Sequence, residues 1–266
     1  MIYPHDFFPE GDLAALEDLF ELNQPVWQAV ASLEERLRAL LHPNLEKLPV
    51  GEPLSRTYVL YEGELLPVGP DFKLVLADAT KEKLKVELDG RVLAGASVLC
   101  AGAVFMDREI EIGRGVLVEP GAYLKGPLFV GDFTEIRQGA YIRGKCYVGR
   151  RCVVGHTTEM KNTIMLDGAK AGHFAYLGDS ILGREVNLGA GTKLANLKLT
   201  RQNIVIRIKN EAFDTGLRKL GAILGDGVQT GCNSVTNPGT LLGPGSFLLP
   251  NRTAGPGYFP PKSILR

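Results

Sequence analysis

The stretch that decides the fold is residues 112–148, IGRGVLVEPGAYLKGPLFVGDFTEIRQGAYIRGKCYV. Aliphatic side chains recur in it at every sixth position, and the period continues without a break to residue 166. The series consists of Ile112, Val118, Leu124, Val130, Ile136, Ile142, Val148, Val154, Met160 and Leu166. The position four beyond the aliphatic is often small or β-branched, as at Ala122 and Thr134. A period of six fits neither an amphipathic helix nor a half-exposed strand.

A six-residue unit fits a short strand followed by a turn. Three units would close one triangular coil with the aliphatic side chains inside, and successive coils would pair as parallel sheet. Residues eighteen apart should therefore stack. We predict a mainly β protein, a parallel β-helix of hexapeptide repeats over about Gly95 to Leu249. The same phase extends weakly back through Met106 and Cys100, and it returns at Leu224 after an interruption.

Residues 1–90 have a different pattern, which predicts a small N-terminal α+β cap before a β-helix over residues 91–266. Helically spaced leucines and short alternating runs carry this prediction. The expected elements are helices over Asp12–Phe20 and Trp27–Leu41, and strands over Tyr58–Tyr61 and Lys83–Leu88.

The interruption near residues 199–221 alternates branched apolar and polar residues between Asn203 and Lys209. The pair Asn210-Glu211 then offers a turn, so we predict an extruded β-hairpin there. Long loops in regular repeats are often functional, but a packing or trimer-contact role is an open alternative.

Composition excludes several functions. Lys plus Arg equals Asp plus Glu at 30 each, so no global field favours nucleic acid or an anionic membrane. The four cysteines show no C-x-x-C pair and no zinc spacing with the four histidines, so we expect buried thiols and no metal site. Because the chain has neither a leader nor a long apolar run, we expect a soluble, cytoplasmic protein.

Two strings depart from the regular hexads: KAGHFAYLGD at residues 170–179 and NLGAGT at residues 187–192. With EMKN at residues 159–162, they resemble the acetyltransferase domain of the bifunctional glucosamine-1-phosphate acetyltransferase and N-acetylglucosamine-1-phosphate uridyltransferase family, over about residues 143–196. The resemblance implies a left-handed helix, an exception to the right-handed crossover rule. It also implies an acetyl-CoA-dependent N-acetyltransferase for an amino sugar phosphate or nucleotide-linked amino sugar, and a homotrimer with active sites between neighbouring helices.

The resemblance also assigns roles to individual residues. It makes His173 the general base that removes a proton from the sugar amine, and Glu159 the carboxylate that orients this imidazole. The alternative is that His173 has only a structural role at the point where the six-residue repeat becomes irregular. The remaining assignments are substrate contacts at Arg143, Lys161, Tyr176 and Asn187, and acetyl-CoA contacts at Ala190, Asn196 and Cys232.

Spacing gives an independent argument for an anion site. Lys125, Arg143 and Lys161 each follow an inward aliphatic residue and are eighteen residues apart, so they should form a basic ladder with rungs about 4.8 Å apart. Like charges directly opposite are unfavourable unless an anion bridges them, which a phosphate could do. A solvated basic edge is the alternative.

Departures from the family pattern limit the assignment. Leu197 stands where the family has a tyrosine, and Cys232 stands for a serine near the acyl group. Residues 215–225, followed by Gly231-Cys232-Asn233 and Asn237-Pro238-Gly239, look closer to archaeal and thermophile sugar-1-phosphate nucleotidyltransferases that carry a C-terminal acetyltransferase β-helix. Residues 1–90 contain no Gly-rich nucleotide loop and are too few for a doubly wound sheet, so pyrophosphorylase activity is not expected. The alternative function is a noncatalytic sugar-nucleotide-binding or assembly protein related to UDP-N-acetylglucosamine pyrophosphorylases.

Overall fold

The computed structural model describes residues 1–9 and 14–266. Its main body is a left-handed parallel β-helix of about nine turns with three sheet faces, which confirms the predicted fold class. Each hexad supplies one short strand, and three hexads return the chain to the strand eighteen residues earlier. Leu124 accordingly pairs with Ile142, and Ile136 pairs with Val154.

The three faces are built from parallel strands, one per coil. The first face contains Ser97–Leu99, Leu117–Val118, Glu135–Ile136, Val153–His156, Lys170–His173, Asn187–Leu188, Gln229–Thr230, Phe247–Leu248 and Ile264–Leu265. The second contains Val104–Phe105, Tyr123–Leu124, Tyr141–Ile142, Glu159–Lys161, Tyr176–Gly178, Lys193–Leu194, Val235–Thr236 and Thr253–Ala254. The third contains Ile110–Ile112, Leu128–Val130, Cys146–Val148, Thr163–Met165, Ile181–Leu182, Ala222–Leu224, Thr240–Leu242 and Gly257–Phe259.

The predicted inward series forms the central core from Ile112 to Met160. The next predicted member was wrong: Met165 points into the core, whereas Leu166 is buried outside it. The chain turns one residue sooner after Lys161, so pairs in this coil lie seventeen residues apart, as Met160 does from Leu177.

The backward extension of the series was wrong by one residue. Leu99 and Phe105 lie in the core in place of Cys100 and Met106. The corner between Phe105 and Ile110 is one residue longer than the corresponding corner in the next coil, because Phe105 pairs with Leu124 while Ile110 pairs with Leu128.

The N-terminal segment packs against the outer side of the third face. It forms helices α1 (Pro4–Phe7), α2 (Ala14–Glu17) and α3 (Gln28–Leu40). Leu33 and Leu37 of α3 share an apolar cluster with Ile164 and Ile223 of the third face. The sequence did not predict α1, and the beginning of the helix predicted over Asp12–Phe20 lies outside the described residues.

Short antiparallel strands complete the N-terminal segment. Tyr58–Tyr61 is found as predicted, and it joins Glu64–Pro67 to the edge of the first face. The predicted strand Lys83–Leu88 begins two residues later. The remaining elements are Phe72–Val75, Lys85–Leu88 and Arg91–Val92, which form a three-stranded sheet, and the 3₁₀ helix Ala79–Lys81.

The insertion between the sixth and seventh strands of the second face contains the hairpin Val205–Ile208 and Glu211–Asp214. Its turn lies one residue earlier than predicted, at Lys209-Asn210, because Ile208 pairs directly with Glu211. Ile204 and Ile206 are buried in the same outer cluster as the N-terminal helices. The hairpin therefore lies over the β-helix and not away from it.

The central core should control stability. The side chain of Ile142 is 0% exposed in this core. We expect Ile142→Ala to lower the free energy of unfolding by about 2–5 kcal/mol, because it leaves a cavity that the coils above and below cannot close. Denaturant unfolding measures the change.

The matched control is Ile264→Ala, at an isoleucine that is 56% exposed. A surface substitution of this kind should change the free energy by about 0.5 kcal/mol or less. Equal losses in the two variants would contradict the assignment of Ile142 to a packed interior.

Candidate functional site

Most of the residues predicted to carry the chemistry lie in two adjoining groups, together with His156 and Asp179, which were not among the predicted residues. The corner site is His156, His173, Ala190 and Cys232, where the first face turns into the second. The second-face cluster is Arg143, Glu159, Lys161, Tyr176, Asp179 and Asn196, along the outer side of the second face and its following edge.

Backbone hydrogen bonds between coils build the corner site. The carbonyl of His173 accepts a bond from the Gly191 N–H at 3.0 Å. One coil on, the carbonyl of Ala190 accepts from the Asn233 N–H at 2.8 Å. His173, Ala190 and Cys232 therefore stack along one edge, and the side chain of His173 is exposed.

Cys232 corrects the expectation of four buried thiols, because it is exposed at this corner. The other three cysteines, Cys100, Cys146 and Cys152, are buried. Burial raises the pKa of Cys100 to about 11, with a further contribution from Glu119, and raises that of Cys146 to about 12. Thiols of this kind are inert near neutral pH, so Cys232 alone among the four can meet a ligand.

His156 is the register partner of His173 on the preceding coil. Its Nδ1 lies 3.1 Å from the carbonyl oxygen of Gln138, and because a carbonyl oxygen can only accept, Nδ1 is the donor of this hydrogen bond. Its ring also packs edge-on against Phe174, with centroids 5.4 Å apart. The structure thus places two imidazoles at the corner, one held by the backbone and one exposed.

The carboxylate of Glu159 was predicted to contact His173, but it contacts Arg143 instead. Its carboxylate accepts a bond from Arg143 Nη1 at 2.8 Å. The geometry explains this, because Glu159 pairs with Tyr141 and Tyr176 in the second face, whereas His173 ends a strand of the first face. The pKa of Arg143 is raised above its usual value, mainly by this hydrogen bond.

Asp179 contacts the residues at the other end of the cluster, and its role was not predicted from the sequence. Its side chain is 7% exposed and lies 3.3 Å from Lys161 Nζ. Asn162 Nδ2 donates to it at 2.9 Å, and the amide of Asn196 donates to the same carboxylate. The available signal was its position eighteen residues after Lys161, the next place on the predicted ladder.

Tyr176 and Asn196 close the cluster. The Tyr176 hydroxyl donates to Asn196 Oδ1 at 3.4 Å, so Asn196 lies with the predicted substrate residues and not at the corner. Burial raises the pKa of Tyr176, and the nearby carboxylates of Glu159 and Asp179 add to the shift. Both side chains pack closely over the strand here, because a Cβ at Gly178 would lie 2.5 Å from Asn196 Nδ2 and 2.7 Å from the Tyr176 hydroxyl.

Two predicted residues lie away from this cluster in the single chain. Asn187 is exposed on the first face, where it pairs with Lys170 and Gln229. Lys125 is exposed one coil before Arg143, and the described part of the chain gives it no ion pair. The ladder therefore has two paired cations, Arg143 and Lys161, and one unpaired cation.

The described residues contain no group of three or more His, Cys, Asp or Glu side chains arranged to hold a metal ion. Within the same residues, none of the helices has the length and apolar character needed to cross a membrane.

Comparison with known proteins agrees with the sequence motifs. The family described as GMPPB C-terminal domain matches residues 124–244. The chain is 36% identical over 110 residues to the bifunctional sugar-1-phosphate nucleotidylyltransferase/acetyltransferase of Sulfurisphaera tokodaii, which is 40% of this chain and 27% of that protein. It is 37% identical over 95 residues to the bifunctional protein GlmU of Methanococcus aeolicus, which is 36% of this chain and 23% of that protein.

The matched region spans about a quarter of the length of these curated relatives. An Arabidopsis UDP-N-acetylglucosamine acyltransferase of known structure matches 58% of this chain and 60% of its own, at 11% identity and a TM-score of 0.40, which is too weak to support a conclusion. The sequence matches, together with the fold, confirm that the β-helix of this chain resembles the acetyltransferase domain of the bifunctional sugar-1-phosphate nucleotidylyltransferase/acetyltransferases.

Proposed function

We propose that the protein is an acetyl-CoA-dependent N-acetyltransferase that acts on an amino sugar carrying phosphate, free or as part of a nucleotide. The observation that carries the proposal is the exposed imidazole of His173, which stands at the corner site beside Ala190 and Cys232 and three residues before Tyr176 of the second-face cluster. In the proposal, a general base, a surface for the acetyl donor and a cationic surface for the sugar acceptor thus lie next to one another. The similarity to nucleotidylyltransferase/acetyltransferases supports the same reaction class.

In the proposed reaction His173 is the general base. The amine nitrogen attacks the thioester carbonyl carbon, a C–N bond forms, and the C–S bond breaks. His173 takes the proton that the amine loses and returns it to the departing sulfur of coenzyme A. An imidazole suits both transfers because its ordinary pKa lies near the operating pH.

Arg143 and Lys161 form the proposed phosphate clamp. Each contacts a carboxylate: Arg143 contacts Glu159 at 2.8 Å, and Lys161 contacts Asp179 at 3.3 Å. These pairs hold the two cations in place, and their remaining donors can bind a phosphate, for which the planar guanidinium of Arg143 is well suited. Glu159 thus acts in the proposal as a positioning residue for Arg143.

The acetyl-CoA surface is proposed along the corner site. Ala190 and Cys232 have small side chains that stack on adjacent coils next to His173, so an extended thioester could lie along this edge. Asn196 faces the acceptor side instead, because it is bonded to Tyr176 and Asp179.

The protein is proposed to act as a homotrimer. The corner site and the outer side of the second face are open in a single chain, and Tyr141 is an exposed aromatic residue beside Arg143. A neighbouring helix would cover these groups and enclose the site.

Light scattering at micromolar concentration should give three times the mass of the 28.8 kDa chain. A monomer mass would rule out a shared site.

The decisive variant is His173→Ala. We expect it to lower kcat by about a hundredfold or more, since general base catalysis contributes about 10²–10⁴-fold. Affinity for acetyl-CoA should change little, because in the proposal His173 transfers protons during the reaction and supplies no binding contact to the intact thioester. Steady-state kinetics and a direct titration of acetyl-CoA measure the two quantities.

His156→Ala is the matched control, because it removes the same side chain one coil earlier. Its effect on kcat should be much smaller, as His156 is held by the Gln138 carbonyl. If His173→Ala retains the wild-type rate, the base lies elsewhere. A larger loss in His156→Ala would transfer the role to that residue.

A further inference from the structure

A cavity of about 620 Å³ lies between helix α3, the edge that follows the second face, and the insertion. Its volume is in the range of about 300–1,000 Å³ that is typical of small-molecule sites. Asn162 Nδ2 donates to the Val30 carbonyl at 3.2 Å and so ties α3 to the β-helix at the cavity wall. The cavity is therefore built jointly by the N-terminal segment and the insertion.

The acidic groups of this cavity already have partners. Glu34 contacts both Lys145 and Arg38. Asp179 contacts Lys161 and accepts from Asn162 and Asn196. The anionic charge of the lining is thus matched within the protein.

Three cations from the insertion lack such partners. Arg201, Arg218 and Lys219 line the cavity, and in residues 1–9 and 14–266 none of them lies within 4.0 Å of a carboxylate. The cavity consequently has an excess of positive charge on the side formed by the insertion, where an anionic ligand would be attracted.

Four of the lining side chains are apolar. They are Val30 and Ala31 of α3, and Leu197 and Leu217 on the side of the insertion. Leu197 is 41% exposed, although it is a large aliphatic residue. A ligand that carries a phosphate and also a flat organic group would pack against this apolar surface and place its phosphate near the three cations.

The cavity continues from the proposed acceptor site. Asp179 lines the cavity and contacts Lys161, which belongs to the proposed phosphate clamp. A sugar 1-phosphate would place its single phosphate at Arg143 and Lys161 and leave Arg201 and Arg218 unmatched. A longer acceptor would extend from the clamp into the cavity.

We infer that this cavity holds the nucleoside of the acceptor and the phosphate attached to it, while the sugar-linked phosphate lies at the clamp of Arg143 and Lys161, which makes the substrate a nucleotide-linked amino sugar. The inference rests on the proposed function for the position of the sugar. The guanidinium groups of Arg201 and Arg218 bind phosphate oxygens through charge-assisted hydrogen bonds. The apolar wall around Leu197 packs against the base. The acetyl transfer itself is unchanged.

Titration calorimetry tests the cavity without reference to catalysis. UDP and GDP, one pyrimidine and one purine nucleotide, serve as probes for the wild type and for Arg201→Ala/Arg218→Ala. We expect at least one probe to bind the wild type and to bind the double variant about tenfold or more weakly. The control is Arg207→Ala, an exposed arginine of the same insertion that does not line the cavity. It should bind as the wild type does.

Kinetics with different acceptors then test the nucleotide cavity and the acetyltransferase activity separately. We expect kcat/KM for UDP-glucosamine or GDP-glucosamine to exceed that for glucosamine-1-phosphate by about tenfold or more, and the double variant to lose this preference. Acetylation of glucosamine-1-phosphate with no nucleotide binding would overturn the cavity assignment and leave the proposed function standing. Nucleotide binding that depends on Arg201 and Arg218, without acetylation of any acceptor, would support the cavity and overturn the proposed function.

Discussion

The stacking of aliphatic side chains inside the triangular coils is the interaction on which the rest of the structure depends. Because Leu124, Ile142 and Met160 lie above one another in the core, the residues that follow them are also placed in register on the outside. Coils about 4.8 Å apart bring outward side chains of successive turns into direct contact. Arg143 reaches Glu159 in this way. The packing of the core thus determines which outward side chains of the site lie next to each other.

One shortened corner shapes the chemistry at that site. The turn after Lys161 lacks a residue, so the next coil pairs at seventeen positions and His173 lies opposite His156. A regular repeat of eighteen would have placed Gly155 opposite His173. The same turn carries Asn162, which connects Asp179 to α3. The departure from regularity therefore links the imidazoles, the cationic cluster and the cavity in one part of the molecule.

The sequence predicted the β-helix because its period is set by core burial alone, and six residues fit no competing element. It predicted the stacking of Arg143 and Lys161 for the same reason. It did not predict that Glu159 bonds to Arg143. A side chain near the boundary of two faces has neighbours on both, and residue spacing alone does not show which of them it contacts. Asp179 was missed although its spacing from Lys161 was available. The cavity was missed because α3 contacts the β-helix through residues far apart in sequence, as Val30 contacts Asn162.

The central claim is acetyl transfer at the corner between two faces, and the release of coenzyme A from acetyl-CoA tests it most directly. Free thiol should be measured with the wild-type protein in the presence of amino sugar phosphates and nucleotide-linked amino sugars, with product mass determined in parallel. The account predicts acceptor-dependent thiol release in equal amount to an N-acetylated sugar. Tight binding of an amino sugar ligand without release of thiol would contradict it and identify the protein as a noncatalytic binder.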